Sequence, residues 1–337
     1  MKRANLILIS LLAVLGSASA WYFTTNQNTN LTGYDFEFAV QDTAAVYKIF
    51  LADRSGKKVT LTRLNNVDWQ LDGKYKAQPN AVFNLLNTIK RVDLKYRLAR
   101  NAVPNVVQDM AGEGIKVEIY NKNNDKLKVY YVGGSDSDGY GTYMMLEGSN
   151  EPYCMHIPGF DGGLRPRYFT DTDDWRDRMI FTLKPEDIKT VSVDYPLQKA
   201  NSFRLVNDGN NSKVEPFYTT TPQLQRPPTK GMVETYLSNY KFLGIEGFEN
   251  HNEKRDSVKA TAPFAYINLV TKKGDSTKLT LYALVPKNSH GEVIQNEKGQ
   301  VTVERYLTES STGDWVLLQH YVWEKVFWGY PSFFTQR

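Results

Sequence analysis

The chain has 337 residues, enough for about two domains of ordinary size. Its 41 basic residues nearly balance its 37 acidic ones, which excludes the basic excess typical of nucleic-acid binders. The single cysteine, Cys154, excludes an intramolecular disulfide and a cysteine-rich zinc site, and its apolar neighbours favour a small core residue. An aromatic content of 13% favours strand-rich structure.

The N-terminus has the pattern of an export signal. Lys2 and Arg3 precede the uncharged residues 4–23, and two early positive charges hold such a start in the cytoplasm. Residues 1–23 are either a signal peptide, cleaved after Ala18-Ser19-Ala20, or a membrane anchor, because an uncharged and mostly apolar run of 20 residues spans a bilayer as a helix. Both alternatives place the rest of the chain outside the cytoplasm, in the periplasm.

Two halves of the chain repeat one order of predicted elements, in which strand hairpins surround a single amphipathic helix. Val82, Leu85 and Ile89 recur at helical spacing in residues 79–92, and residues 232–243 have the same periodicity. Alternating apolar residues predict strands at 45–52, 58–63, 69–71, 116–120, 127–132, 143–146 and 153–157, and again at 188–193, 202–206, 265–270, 278–285, 301–307 and 315–319.

These elements predict an α+β fold of two tandem similar modules behind an N-terminal hydrophobic helix. Each module is expected to be an antiparallel sheet covered by one main amphipathic helix. The predicted modules are 32–183 and 184–337, and a proline-rich loop at 216–231 precedes the second helix.

The ionisable residues form no catalytic motif. No pair among the four histidines has the i, i+4 spacing of a helical zinc site, and G-x-S-x-G is absent. The histidines are His156 and His320 in strand-like stretches, and His251 and His290 in polar loops. We therefore expect a protein that is not an enzyme and that uses no cofactor or metal.

An acidic cluster, DTDDWRDR at 171–178, alternates with arginines. Its carboxylates could hold a cation, but the arginines cancel the local charge. Asp173 or Asp174 is expected to cap a short helical turn. The cluster comprises Asp171, Asp173, Asp174 and Asp177, with Arg176 and Arg178.

The stretch GGSDSDGYG, residues 133–141, resembles a ligand loop. Asp136 and Asp138 could begin a calcium loop, and the glycines could cradle a phosphate. A strand leads into the stretch and another follows, and the second half has no equivalent aspartates. We interpret it as a connection between strands whose aspartates have no particular role.

A basic run follows the first helix. It is expected to be a solvated helix end, where positive charges interact favourably with the helix dipole. The alternatives are a site for acidic lipid headgroups and a site for another polyanion. The run contains Lys90, Arg91, Lys95, Arg97 and Arg100.

Aromatic residues suggest two contact sites. The C-terminal aromatics either close a core or form a partner surface, because density alone fits both. Trp69 and Trp175 are candidates for stacking on a ligand. The C-terminal set is Trp323, Phe327, Trp328, Tyr330, Phe333 and Phe334.

The order of motifs resembles a family of bacterial envelope proteins, domain of unknown function 4340. The resemblance rests on the hairpin VYKIFLADRSGKKVTLTR, the W-x-L at 69–71, the helix PNAVFNLLNTIKRV and the strand LKVYYVG. The second half departs from the pattern, because it lacks W-x-L and has the proline-rich loop. The triplets at 42–44 and 256–258 resemble an O-glycosylation sequence of some Bacteroidetes.

The resemblance implies tandem copies behind an N-terminal anchor and an accessory role beside an ABC-type export system. We therefore expect a non-enzymatic periplasmic scaffold, tethered to the inner membrane by residues 4–23 if they are uncleaved. The alternatives are a module that binds a glycan or lipid in a cleft between the halves, and an enzyme using the aspartates described above.

Overall fold

The computed structural model describes residues 36–335, except residues 287, 289, 291, 296–298 and 300. The chain divides between Asp177 and Arg178 into two compact units, each with its own hydrophobic core. The predicted anchor at 1–23 lies outside the described residues. Among the residues described, no helix has the length and apolarity needed to cross a bilayer.

The first unit is a nine-stranded antiparallel sheet with two helices longer than ten residues. Its elements are β1 Lys48–Ala52, β2 Lys58–Arg63, β3 Trp69–Leu71, β4 Tyr75–Lys76, α1 Pro79–Arg91, β5 Asp93–Arg97, α2 Val103–Glu113, β6 Ile115–Tyr120, β7 Lys126–Ser135, β8 Thr142–Leu146, β9 Tyr153–His156 and α3 Thr172–Trp175.

The first core is formed by the apolar side chains at alternate positions of the strands. Ile49 and Leu51 of β1 are buried, as are Val59 and Leu61 of β2, because side chains two residues apart share one face of a strand. The apolar face of α1 joins the same core, through Leu85 and its helical neighbours.

The second unit is an eight-stranded antiparallel sheet with short helices, together with a two-stranded sheet of β10 and β14. Its elements are β10 Met179–Phe181, β11 Ile188–Asp194, β12 Phe203–Val206, β13 Lys213–Pro216, α4 Met232–Ser238, β14 Leu243–Gly244, β15 Gly247–Phe248, α5 Arg255–Lys259, β16 Ala265–Thr271, β17 Ser276–Leu284, β18 Arg305–Ser310, β19 Trp315–Gln319 and α6 His320–Trp323.

The strand order of the two large sheets corresponds place by place. The first sheet reads β4-β3-β2-β1-β6-β7-β8-β9-β5, and the second reads β13-β12-β11-β16-β17-β18-β19-β15. If the edge strand β4 is left out of the first sheet, the two orders are the same: each remaining strand of the first sheet corresponds to the strand numbered ten higher in the second, as β3 does to β13 and β5 to β15. The main helix follows the first three or four strands in each unit.

The structure corrects several predicted boundaries. The chain divides into its two units after Asp177, six residues before the end of the first predicted module, and β10 pairs with β14 in the second unit. The predicted helix at 232–243 is α4 followed by a 3-10 turn, Asn239–Lys241. Strand β13 begins just before the proline-rich loop and ends in it, at Pro216, and pairs with β12 at the sheet edge.

Candidate functional site

A largely enclosed polar cluster of the first unit joins three neighbouring parts of its sheet. Strand β5 lies at the edge beside β9, and the connection from β7 to β8 contributes the acidic residues. A bulge between Leu94 and Tyr96 leaves Lys95 as the extra residue of β5. The fold thereby places Lys95 and Cys154 next to Asp136. We call these three residues the Asp136 cluster.

Asp136 is the acceptor at the centre of this cluster, and only 1% of its side chain is exposed. Its Oδ2 accepts hydrogen bonds from Lys95 Nζ at 2.8 Å, the Tyr96 hydroxyl at 3.3 Å and Cys154 Sγ at 3.4 Å. Its Oδ1 accepts the backbone N–H of Gly141 at 2.8 Å. Every donor that a buried carboxylate needs is therefore supplied by the protein.

The charges in the Asp136 cluster stabilise one another. Burial favours the protonated carboxyl of Asp136, but the Lys95 ammonium and the Gly141 N–H outweigh it and hold the pKa of Asp136 well below its ordinary value. Hydrogen bonds to Asp136 and Asp138 raise the pKa of Lys95. Burial raises the pKa of the Cys154 thiol to about 12, so the thiol is neutral and a poor nucleophile at pH 7.

Two glycines of the stretch 133–141 allow this close packing. A Cβ at Gly141 would lie 2.3 Å from Cys154 Sγ and 2.5 Å from Asp136 Oδ2. A Cβ at Gly133 would lie 2.7 Å from the Met110 side chain, which packs α2 against β7. Both glycines are needed because neighbouring side chains occupy the space of a Cβ.

Gly141→Ala is expected to lower the free energy of unfolding of the first unit by about 1–3 kcal/mol, because the new methyl group displaces the Asp136 carboxylate. Gly134→Ala is the matched control, since no atom lies within 4 Å of a Cβ there. Urea unfolding of both variants measures the difference. Equal stabilities would contradict the packing described for Gly141.

The strand connection predicted at 133–141 is confirmed for residues 136–141, whereas residues 133–135 are the end of β7. The expectation that the aspartates have no role is wrong. Asp136 anchors the connection to β5 and β9, and Asp138 accepts hydrogen bonds from Lys95 at 2.7 and 2.8 Å. The basic run is also corrected. Lys90 and Arg91 end α1 as expected, whereas Lys95 and Arg97 belong to β5.

The acidic cluster at 171–178 has structural partners. Asp171 is the N-cap of α3 and accepts the backbone N–H of Asp173 at 3.1 Å, so the cap is Asp171 and not either residue predicted. Lys57 binds Asp171 at 2.8 Å, and Arg176 binds Asp173 at 3.1 Å. These bonds match the structural interpretation of the cluster.

The histidines are dispersed. His156 lies on β9, as expected of a sheet residue. His320 begins α6 instead of ending a strand, and its Nδ1 lies 2.8 Å from the Tyr306 hydroxyl. Within the described part of the chain, no three His, Cys, Asp or Glu side chains are grouped so as to hold a metal ion.

The two tryptophans predicted to stack on a ligand lie in the first core. Trp69 is 2% exposed and Trp175 is 0% exposed. The Arg63 guanidinium lies 4.7 Å from the Trp69 ring, and the Trp175 indole N–H donates to the Phe169 carbonyl at 2.9 Å. The stacking role is corrected, because both rings are already covered by protein.

The C-terminal aromatics form part of the second core, so the partner-surface alternative is wrong and the core alternative is confirmed. Trp323 is fully buried, and its indole N–H donates to the Gly244 carbonyl at 2.8 Å. Phe327 is partly buried and packs against the same core. The remaining members are at most 5% exposed: Trp328, Tyr330, Phe333 and Phe334.

A known protein family matches residues in both units. Residues 69–262, more than half of the chain, match domain of unknown function DUF4340. The chain belongs to the DUF4340 family. The matched region begins at Trp69, in the W-x-L that carried the sequence resemblance, and continues into the second unit. No curated protein matches the chain.

Proposed function

We propose that this DUF4340 protein is exported and tethered to the inner membrane, where it acts as a non-enzymatic docking component of an envelope complex. The observation that carries the proposal is the order of segments. Lys2 and Arg3, the apolar residues 4–23 and then two folded units form the arrangement of a membrane-anchored periplasmic protein. Association with an ABC-type export system follows from the family resemblance.

The two units are proposed to be tandem copies of one module. Their corresponding strand orders support this origin. The main helices support it as well: Val82, Leu85 and Ile89 of α1 are buried at the same spacing as Val233 and Tyr236 of α4 and Tyr240 of the 3-10 turn that follows α4. A duplicated module offers two related surfaces to partners on one chain.

The pairing within the Asp136 cluster supports a structural role for its polar groups. The carboxylate of Asp136 accepts hydrogen bonds from four donors, one of which is the neutral thiol of Cys154. A general base or nucleophile must instead be directed toward a substrate. The surfaces of the two units are therefore proposed to act by binding other proteins.

Co-purification from native membranes tests the proposal. The tagged chain, extracted in mild detergent, is expected to migrate with other envelope proteins in a complex of defined size. Leu11→Arg/Leu12→Arg is expected to abolish membrane association and the complex, because each arginine opposes insertion by about 3 kcal/mol. Leu11→Ile/Leu12→Ile is the matched control and should behave as wild type. A chain that migrates alone as a monomer in every extract would contradict the proposal.

A further inference from the structure

The solvent-facing side of α1 combines an apolar residue with cations. Phe83 is 69% exposed, although the rest of this side is polar. Lys90 lies seven residues further along, on the same side and about 10 Å away, and Arg91 follows it. Both cations are exposed. An exposed aromatic ring beside Lys and Arg is the pattern of a helix that lies on a membrane interface.

The first described residues cross the end of α1 that carries these cations. The backbone N–H of Val40 donates to the Ile89 carbonyl at 3.0 Å. A cavity of about 460 Å³ lies between this segment and the helix end, and its lining includes Phe36, Lys90 and Arg91. The Arg97 guanidinium lies 5.6 Å from the Phe36 ring and adds a third cation.

The distance along the chain limits how far this region lies from the membrane. Twelve residues, 24–35, separate the apolar run from Phe36. Fully extended they span at most about 43 Å, and a less extended chain spans less. A tether at residues 4–23 is thus short enough to let the cationic end of α1 reach the lipid headgroups.

Charge near the cavity favours an anionic surface. Lys90, Arg91 and Arg97 are opposed by two exposed carboxylates, Glu37 and Asp93. Three cations against two anions leave an excess of positive charge, and the cations have the longer side chains. Each Lys or Arg near an anionic surface contributes about 1 kcal/mol to binding.

The second unit provides an internal comparison. Its buried positions align Val233 with Val82, so Glu234 occupies the place of Phe83. Glu234 is exposed and negatively charged, which opposes contact with an anionic bilayer. The combination of an exposed phenylalanine followed by Lys and Arg therefore belongs to the helix nearest the predicted tether in sequence.

We propose that this side of α1 lies on the anionic bilayer surface, with Phe83 in the interface and Lys90 and Arg91 at lipid phosphates. The inference rests on the proposed tether and specifies the surface through which the first unit contacts lipid. The Phe83 ring loses contact with water, and the cations displace counterions from the headgroups.

Depth-dependent quenching in nanodiscs tests this contact. The full-length chain is incorporated into nanodiscs with or without phosphatidylglycerol, and a fluorophore is attached at Asn84→Cys, an exposed position of α1. Thr235→Cys, the equivalent exposed position of α4, is the matched control. Buried Cys154 is protected from the label. Nitroxide lipids are expected to quench the label at 84 in anionic discs and to quench the label at 235 far less.

Three variants separate the contributions to the contact. Lys90→Glu/Arg91→Glu is expected to lower the contact equilibrium at least about fivefold for each cation. Phe83→Glu, which gives the first unit the residue found at position 234, should also abolish quenching at 84. Lys241→Glu, the equivalent of Lys90 in the second unit, should leave it unchanged.

The outcomes distinguish this inference from the proposed tether. Incorporation into nanodiscs with equal quenching at 84 and 235, or with quenching independent of anionic lipid, would overturn the contact and leave the tether intact. A chain that fails to enter nanodiscs would overturn both.

Discussion

Trp323→Ala is expected to lower the free energy of unfolding of the second unit by about 4 kcal/mol. The indole is fully buried among the C-terminal aromatics, and its N–H donates to the Gly244 carbonyl. Truncation leaves a cavity and an unsatisfied carbonyl, and losses of 3–5 kcal/mol are usual for a buried tryptophan. Urea unfolding, followed by hydrogen exchange in peptides from the second unit, measures the change.

The matched control lies two residues earlier in α6. Tyr321 is 72% exposed, so Tyr321→Ala should change the free energy of unfolding by no more than about 0.5 kcal/mol. A Trp323→Ala variant as stable as the Tyr321→Ala variant would contradict the assignment of these aromatics to the core and restore the partner-surface alternative.

Asp136→Ala is expected to lower the free energy of unfolding of the first unit by about 3 kcal/mol. The substitution leaves the Gly141 N–H and the Cys154 thiol without their acceptor, and it removes one of the two carboxylates that bind Lys95. Breaking a buried ion pair from one side is strongly destabilising. Asp138→Ala is the control: its side chain is 53% exposed, so a loss below about 1 kcal/mol is expected.

The pH dependence of this effect has a defined sign. Because folding lowers the pKa of Asp136, its ionic contribution is fully present above its unfolded pKa, about 4, and is lost as the pH falls through the folded pKa. The raised pKa of Lys95 means that its contribution persists up to about pH 10 and is lost only above it. Asp136→Asn should therefore reduce the dependence of stability on pH below 4. The pairing would be contradicted if, between pH 5 and pH 2, the free energy of unfolding of the wild-type protein fell no more than that of Asp136→Asn.

Local patterns predicted most of the sheet. The strands at 58–63, 69–71 and 315–319 have the predicted bounds. Their side chains alternate between a covered and a more exposed face, or polar turns mark their ends, and both features can be read from the sequence. Helix α2 was not predicted, since only Val106 and Met110 of its eleven residues are buried and its apolar periodicity is weak.

The Asp136 cluster could not be predicted from spacing. Asp136 lies 41 positions from Lys95 and 18 from Cys154, and strand pairing alone brings them together. A sequence signal existed in the glycines at 133 and 141, because a glycine next to a strand can mark a close approach of neighbouring atoms, but the whole stretch was interpreted as a connection between strands. The C-terminal aromatics were ambiguous for a related reason, because aromatic density is the same in a core and at an interface.

The intact mass and protease accessibility of the membrane-bound chain test the proposed tether most directly. Carbonate-washed membranes should retain the full 38.5 kDa chain, including the apolar residues 4–23. Protease added outside spheroplasts should digest both folded units. Recovery of the chain in the cytoplasmic fraction, its protection from external protease, or its release in a soluble form that lacks the apolar run would contradict the account.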